Sequence, residues 1–201
     1  MDFTNVKRNL EARGFAVSTF AAAEAAAEYL NAQIDGATVS FGGSMTLEAL
    51  KLYDRLHTHN TVYSHWHVPE GMDTAEVQRS AQTSRHYLLS ANGLAETGEI
   101  INIDGTGNRV ASSLFGHEKV WFVVGRNKLA PTYDEALWRA RNIAAPKNAQ
   151  RLGVKTPCAV NGERCYDCKS PQRICRGLVV LWEAMKSCET EIVLIDEDLG
   201  Y

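Results

Sequence analysis

An α/β fold, with a mostly parallel sheet and helices on both faces, is predicted by three features of this 201-residue chain. Short apolar runs alternate with helical stretches along most of its length, the order that leads to parallel strand pairing. The apolar share is 45%, enough for a sizeable buried core. Strands predicted to end at Gly42, Asn92, Asp104 and Gly125 run into polar or glycine-rich turns. Open α/β sheets bind ligands at that carboxyl edge, so these turns are expected to share one cleft.

Each element follows from local pattern. Residues 3–13 carry Phe3, Val6 and Leu10 near helical spacing, and Gly14 closes the helix. Residues 15–20 read as a strand. The alanine-rich stretch to Gln33 reads as a helix, because alanine is the best helix former. Ala37-Thr38-Val39-Ser40-Phe41 is a buried strand, and a helix runs from Leu47 to about His57. A strand over 61–66, a helix over 73–84 and a strand over 86–90 follow. Residues 99–103 form a strand reached through a hairpin that carries Glu96 and Glu99, and a short helix follows the turn after it. Val120-Trp121-Phe122-Val123-Val124 is the most apolar strand; a helix covers 133–152, and strands at 178–182 and 191–195 finish the chain.

This length suits one domain with at most a small appendage. The expected organisation is an α/β core over 1–155, a cysteine loop over 156–176, and C-terminal strands over 177–201 that complete the core. A net charge of −3 without a basic stripe argues against nucleic acid. No apolar run approaches the roughly 18–20 residues that span a bilayer. Met1-Asp2-Phe3-Thr4-Asn5 leads into a charged amphipathic stretch, not a signal peptide, so a cytoplasmic location is expected.

Four of the five cysteines, Cys158, Cys165, Cys168 and Cys175, are separated by six, two and six residues. Glycine, proline and charged residues surround them, too little apolar content for a self-packing loop. Four thiolates can hold zinc or an iron–sulfur cluster, and a metal would organise such a loop. Two disulfides would also use four cysteines, but clustered thiols in a reducing compartment are more often metal ligands. The spacing matches neither a standard zinc finger nor the bacterial ferredoxin run. The expectation is a four-iron cluster, with zinc as the alternative; Cys188 is a spare thiol.

The strand-end turns carry the other candidate chemistry. Gly42, Gly43, Ser44 and Thr46 open a helix where backbone N–H groups can meet an anion, or where Ser44 simply caps it. Asn92 ends a neighbouring strand. Asp104-Gly105-Thr106-Gly107-Asn108-Arg109 places a carboxylate and a guanidinium around two glycines. Arg109 is expected to bind an anion bidentately, and Asp104 to move protons or to cap the following helix. Glu99 is a second proton-transfer candidate. Arg126 and Lys128 add cations past the apolar strand. His65 and His67 would face one side of a strand, without a matching carboxylate or cysteine to complete a metal site.

Taken together, Phe41-Gly42-Gly43-Ser44-Met45-Thr46-Leu47, Ala91-Asn92-Gly93, Asn102 to Val110, Val124-Gly125-Arg126-Asn127-Lys128, Arg141 to Pro146 and the cysteine segment resemble the LUD-domain family of lactate-utilisation proteins. The ending Glu197-Asp198-Leu199-Gly200-Tyr201 also fits. The resemblance implies a fold similar to ribose-5-phosphate isomerase and the coenzyme A transferases. It also implies lactate-oxidation chemistry carried out with iron–sulfur partner proteins. The cysteine tail and the Asp104 turn look like a stand-alone branch. One expectation is an enzyme or redox subunit acting on a small anionic hydroxy- or oxo-acid or a phosphorylated metabolite; an isomerase-like enzyme is its variant. The other is a metabolite-binding regulatory protein with structural zinc. Apolar surface on the last two strands suggests a homodimer.

Overall fold

A computed structural model of the protein describes residues 2–201. In chain order the first half holds α1 (Thr4–Ala12), β1 (Ala16–Phe20), α2 (Ala23–Gln33), β2 (Thr38–Phe41), α3 (Met45–Ala49), α4 (Leu52–Leu56), β3 (Thr61–Tyr63), α5 (Thr74–Ala81) and β4 (His86–Leu89). The second half holds β5 (Gly93–Ala95), β6 (Ile100–Asp104), α6 (Asn108–Ser112), β7 (Lys119–Gly125), β8 (Leu129–Ala130), α7 (Tyr133–Arg139), α8 (Ala145–Arg151), α9 (Pro157–Asn161), β9 (Gly177–Leu181) and β10 (Glu189–Ile195).

Six strands form one sheet in the order β1-β10-β7-β4-β2-β3, and every pairing in it is parallel. Alternating residues of the central strands β4, β7 and β10 serve two different cores, which explains their unbroken apolar runs. Trp121 and Val123 of β7 and Val193 and Ile195 of β10 pack with α2, α3 and α4. Val120, Phe122 and Val124 of β7 and Ile192 and Leu194 of β10 pack on the opposite face, with α1 and residues of β5, β6 and β9. This is the α/β architecture expected, with helices on both faces.

A second sheet was not anticipated. It has the order β8-β5-β6-β9 and lies against the second face of the first. β6 pairs antiparallel with both β5 and β9, while β5 and β8 are parallel. β5 and β8 are three and two residues long, too short to leave a periodic signature. Ala136 of α7 and Ala140 just beyond it cover the outer side of this sheet. The final strands therefore part company: β9 completes the small sheet and β10 lies inside the large one.

Three elements differ from the sequence expectation for stated reasons. The helix expected over 47–57 is two helices, broken at Lys51, whose φ is +50°. Leu50 and Leu52 would stand about 200° apart on one continuous helix. The break returns both to the same core, where Leu52 is fully buried. The strand expected over 61–66 stops at Tyr63, because Ser64 and His67 close a tight bridge. The helix over 133–152 carries a π turn at Ala140–Ala144 between α7 and α8. Such turns widen a helix and redirect side chains. Here Arg141 and Asn142 are directed to the cysteine loop.

β10 is buried along nearly its whole length, so it offers no apolar surface for a dimer. β9 is an edge strand and exposes Leu178, next to the exposed Trp182. Among the described residues, no helix is long and apolar enough to cross a membrane.

Candidate functional site

The carboxyl ends of β2, β3, β4, β6 and β7 surround a cleft of about 510 Å³. The structure brings Gly43, Ser44, Asn92, Asp104, Gly105, Thr106, Asn108, Arg109 and Lys128 to its wall. Gly42 packs against Arg109 and Thr46 against Lys128 just behind this wall, and Gly107 opens α6. Glu99 and Arg126 lie elsewhere.

The Asp104 turn is a scaffold. Asp104 Oδ1 accepts from the backbone N–H groups of Gly105, Thr106 and Gly107 at 2.6, 3.1 and 3.2 Å. Its Oδ2 accepts from Val110 N at 3.3 Å and pairs with Arg109 Nε at 3.6 Å. These bonds engage both oxygens in holding the turn and the first turn of α6. Gly107 adopts φ +95°, a left-handed conformation that suits glycine.

Arg109 faces inward and not toward a ligand. Nη1 donates to Ser90 O at 3.2 Å and to Asn102 Oδ1 at 2.5 Å; Nη2 donates to Asn92 Oδ1 at 3.2 Å and to Ile103 O at 2.7 Å. With Nε on Asp104, its donors tie three strand ends together. Burial lowers its pKa, and Asp104 partly restores it. Bidentate anion binding by Arg109, as expected from sequence, would require breaking this network. Asn92 is likewise engaged, since its Oδ1 also accepts from Ile103 N at 2.7 Å. Gly42 gives this network room: a Cβ there would lie 2.8 Å from Arg109 Cγ.

Glu99 lies at the opposite end of β6 from Asp104. It pairs with Arg13 at 2.6 Å and accepts from the Thr97 hydroxyl. It is an inter-element clamp remote from the cleft. Arg126 is exposed and pairs with Asp198 at 2.9 Å and Asp196 at 3.3 Å. The 3-10 turn Arg126–Lys128 sends these two cations to opposite sides.

Lys128 points inward and is 4% exposed. Nζ hydrogen-bonds Thr46 Oγ1 at 3.0 Å and Ser90 Oγ at 3.1 Å. No ion pair among the described residues includes it. Burial, with the positive charges of Arg139 and Arg109, brings its pKa down to about 7. Arg139 itself is nearly buried; Nε donates to Asn127 O at 2.7 Å and Nη1 to Asn92 O at 2.6 Å, and burial lowers its pKa to about 10.

Ser44 caps α3 by accepting from Leu47 N at 3.4 Å. That helix spans only five residues, so the turn contributes position more than dipole. Several wall residues were not anticipated as ligand-binding. His65, from beyond β3, lines the cleft, and burial lowers its pKa. Arg151 of α8 lies over the Trp66 ring at 5.1 Å, and Arg173 and Arg176 enter from the cysteine loop. With Arg109 paired to Asp104, the side chains of Arg151, Arg173 and Arg176 make the outer wall electropositive. The short helical spacing of Arg151 and the loop position of Arg176 offered no sequence signal for a cleft formed only in space.

All four clustered cysteines line one small cavity, together with Arg141, Arg173 and Thr156. All five cysteines of the chain are free thiols. Asp167 N and Arg141 Nη2 point at Cys165 Sγ at 3.4 and 3.9 Å, and Thr156 Oγ1 lies 3.2 Å from Cys158 Sγ. Arg173 donates to the carbonyls of Cys168 and Cys175, both at 2.9 Å. Among the described residues, no three His, Cys, Asp or Glu side chains converge as they would on a single metal ion.

The two cavities meet. Ile174 and Cys175 line both. Arg176 N donates to Asp104 O at 2.8 Å, and a Cβ on Gly105 would lie 2.5 Å from Ile174 O. Glycine at 105 is thus what allows the cysteine loop to lie directly on the Asp104 turn.

Residues 3–195 match the LUD domain family. The chain belongs to the LUD domain family. Among solved structures, this LUD-domain chain is similar to a DUF162 family protein from Deinococcus radiodurans, with a TM-score of 0.54 and 15% identity over 97% of this chain and 99% of that one. At that identity the likeness concerns the fold. No curated protein matches the chain.

Proposed function

We propose that this LUD-domain protein is an enzyme or redox subunit that binds a small anionic hydroxy- or oxo-acid in the carboxyl-edge cleft. In this reading Cys158, Cys165, Cys168 and Cys175 hold a four-iron cluster behind the cleft wall. The observation that carries the proposal is the wall that the two cavities share at Ile174 and Cys175. An anion in the cleft would lie one side chain away from the cysteine cavity.

The donor set fits such a group. Four thiolates with a cluster carry net negative charge, and Arg141 and Arg173 border them. N–H donors aimed at the ligating sulfurs tune such sites. The four thiols line one cavity, which is the ligand number that a four-iron cluster or a single zinc takes. When bound through all four thiolates, a cluster would supply one-electron transfer.

The chain's own residues supply the rest. Arg151 and Arg176 attract the carboxylate, and the Arg109–Asp104 network holds the strand ends in place. Lys128 accepts or returns a proton, since a pKa near 7 leaves much of it neutral at pH 7. Oxidation of a 2-hydroxy acid to a 2-oxo acid releases two electrons and two protons. The electrons leave toward an iron–sulfur partner protein. The proposal places the chain in the cytoplasm and in a stand-alone branch of the family marked by the four-cysteine motif.

The test is anaerobic purification, with iron, zinc and acid-labile sulfide measured per chain, followed by titration with lactate and pyruvate. Iron and sulfide near four per chain, and a spectrum that either acid perturbs, are expected. One zinc without sulfide would overturn the cluster and leave a metabolite-binding protein with a structural staple. Absence of binding by either acid would overturn the ligand class.

A further inference from the structure

We infer that Lys128 forms an imine: its amine condenses with the carbonyl group of a small 2-oxo acid held in the cleft. The inference rests on reading the cleft as an oxo-acid site and assigns a covalent step to one residue of it.

The geometry suits a nucleophilic amine. A neutral lysine has two N–H donors and one lone pair. Two hydroxyls, Thr46 Oγ1 at 3.0 Å and Ser90 Oγ at 3.1 Å, match the two donors. The lone pair is then left for the cleft, whose wall Lys128 forms. A lysine kept as a structural cation would have a carboxylate beside it, and no ion pair among the described residues includes Lys128. The guanidinium charges of Arg139 and Arg109 oppose its protonation. Desolvation beside other cations is a recognised way to activate an amine for carbonyl chemistry. Arg126, two residues earlier, is exposed and paired with carboxylates, so the contrast arises from the turn and not from composition.

The step balances without an outside oxidant or reductant. The nitrogen lone pair attacks the carbonyl carbon, and the carbonyl electron pair moves to oxygen. A proton passes from nitrogen to that oxygen, through the Thr46 or Ser90 hydroxyl. A second proton, taken up from solvent water, joins the hydroxyl as it leaves as water, and the nitrogen lone pair forms the carbon–nitrogen double bond of a protonated imine. The protonated imine draws electrons from the neighbouring carbon, so proton exchange there is the reaction class the residue serves. Water reverses the condensation.

The experiment treats the full protein, as purified, with glyoxylate and cyanoborohydride, which reduces an imine to a stable secondary amine. Peptide mass spectrometry then locates the adduct. The expected result is one dominant adduct on Lys128. Lactate, which has no carbonyl to condense, should protect it. At about ten times its dissociation constant it leaves roughly a tenth of the sites free, so labelling should fall about tenfold. No variant is needed, so folding does not confound the result; Lys128→Met adds a check, with loss of the adduct at unchanged circular dichroism. Calorimetric titration with glyoxylate alone separates the two readings. Binding without an adduct on Lys128, or adducts spread evenly over surface lysines, overturns the imine and leaves the anion site standing. Absence of both binding and adduct overturns both.

Discussion

Lys128 also makes a prediction about stability that needs no knowledge of substrate. Its pKa is about 7 in the folded protein, against 10.5 for an ordinary lysine. The folded state therefore disfavours the charged form, while the unfolded chain keeps its proton up to about pH 10.4. Between these values the unfolded state binds more protons, so stability rises with pH, at up to about 1.4 kcal/mol per pH unit. Below pH 7 the penalty is fully present; above about pH 10.4 it is gone. Linkage over pH 7 to 10 gives a gain of about 3 to 4 kcal/mol from this residue alone. Urea unfolding of the wild type and Lys128→Met, measured at steps across that range, isolates it. Cysteines and tyrosines titrate in both proteins and cancel in the difference. The variant should be the more stable protein at pH 7, and its advantage should shrink by about 3 to 4 kcal/mol by pH 10. A difference that stays flat within about 1 kcal/mol would refute the claim that Lys128 is buried without a counter-charge.

Three further outcomes are expected. Gly105→Ala puts a Cβ 2.5 Å from Ile174 O, so the turn and the cysteine loop must separate. It should cost about 1–3 kcal/mol in thermal unfolding and lower metal content, while Gly153→Ala, at an open position, should leave metal content unchanged. Arg109→Met strands Asp104, Asn102 and two carbonyls at once, and a loss of about 3–5 kcal/mol by chemical denaturation is expected; a loss under about 1 kcal/mol would mean that the network is not structural. Arg126→Ala should leave the affinity for lactate and pyruvate unchanged by calorimetry, because its partners are Asp196 and Asp198 outside the cleft.

Periodicity was enough to reveal the parallel sheet. Runs such as 120–124 are apolar at every position only when both faces are covered, and that information is local. The cysteine cluster was equally plain, because four thiols in 18 residues have few uses. The turns after β2 and β4 lie at one edge because chain direction in a parallel sheet dictates which ends meet, whereas the Asp104 turn reaches the same cleft from β6 of the second sheet. The second sheet was invisible, because β5 and β8 are shorter than the window in which alternation can be read.

The roles within the cleft were a different matter. Residue type alone made Asp104 and Arg109 look reactive and Lys128 look like one more surface cation. Tertiary structure reversed this, since a charge's chemistry depends on which partners remain for it after folding. Asp104 spends its oxygens on three amides of its own turn, and Arg109 spends its donors on strands 6 to 19 residues away in sequence. Glu99 and Arg126 found counter-charges on elements far along the chain. Lys128 found only hydroxyls and burial. The sequence by itself determined the α/β class, the carboxyl-edge turns and the cysteine cluster, because hydrophobic period, chain direction and spacing are local quantities. Only the tertiary structure decided which charges are neutralised, which amine is left unpaired, and that the cysteine cavity shares a wall with the cleft, because those depend on contacts between residues distant in the chain.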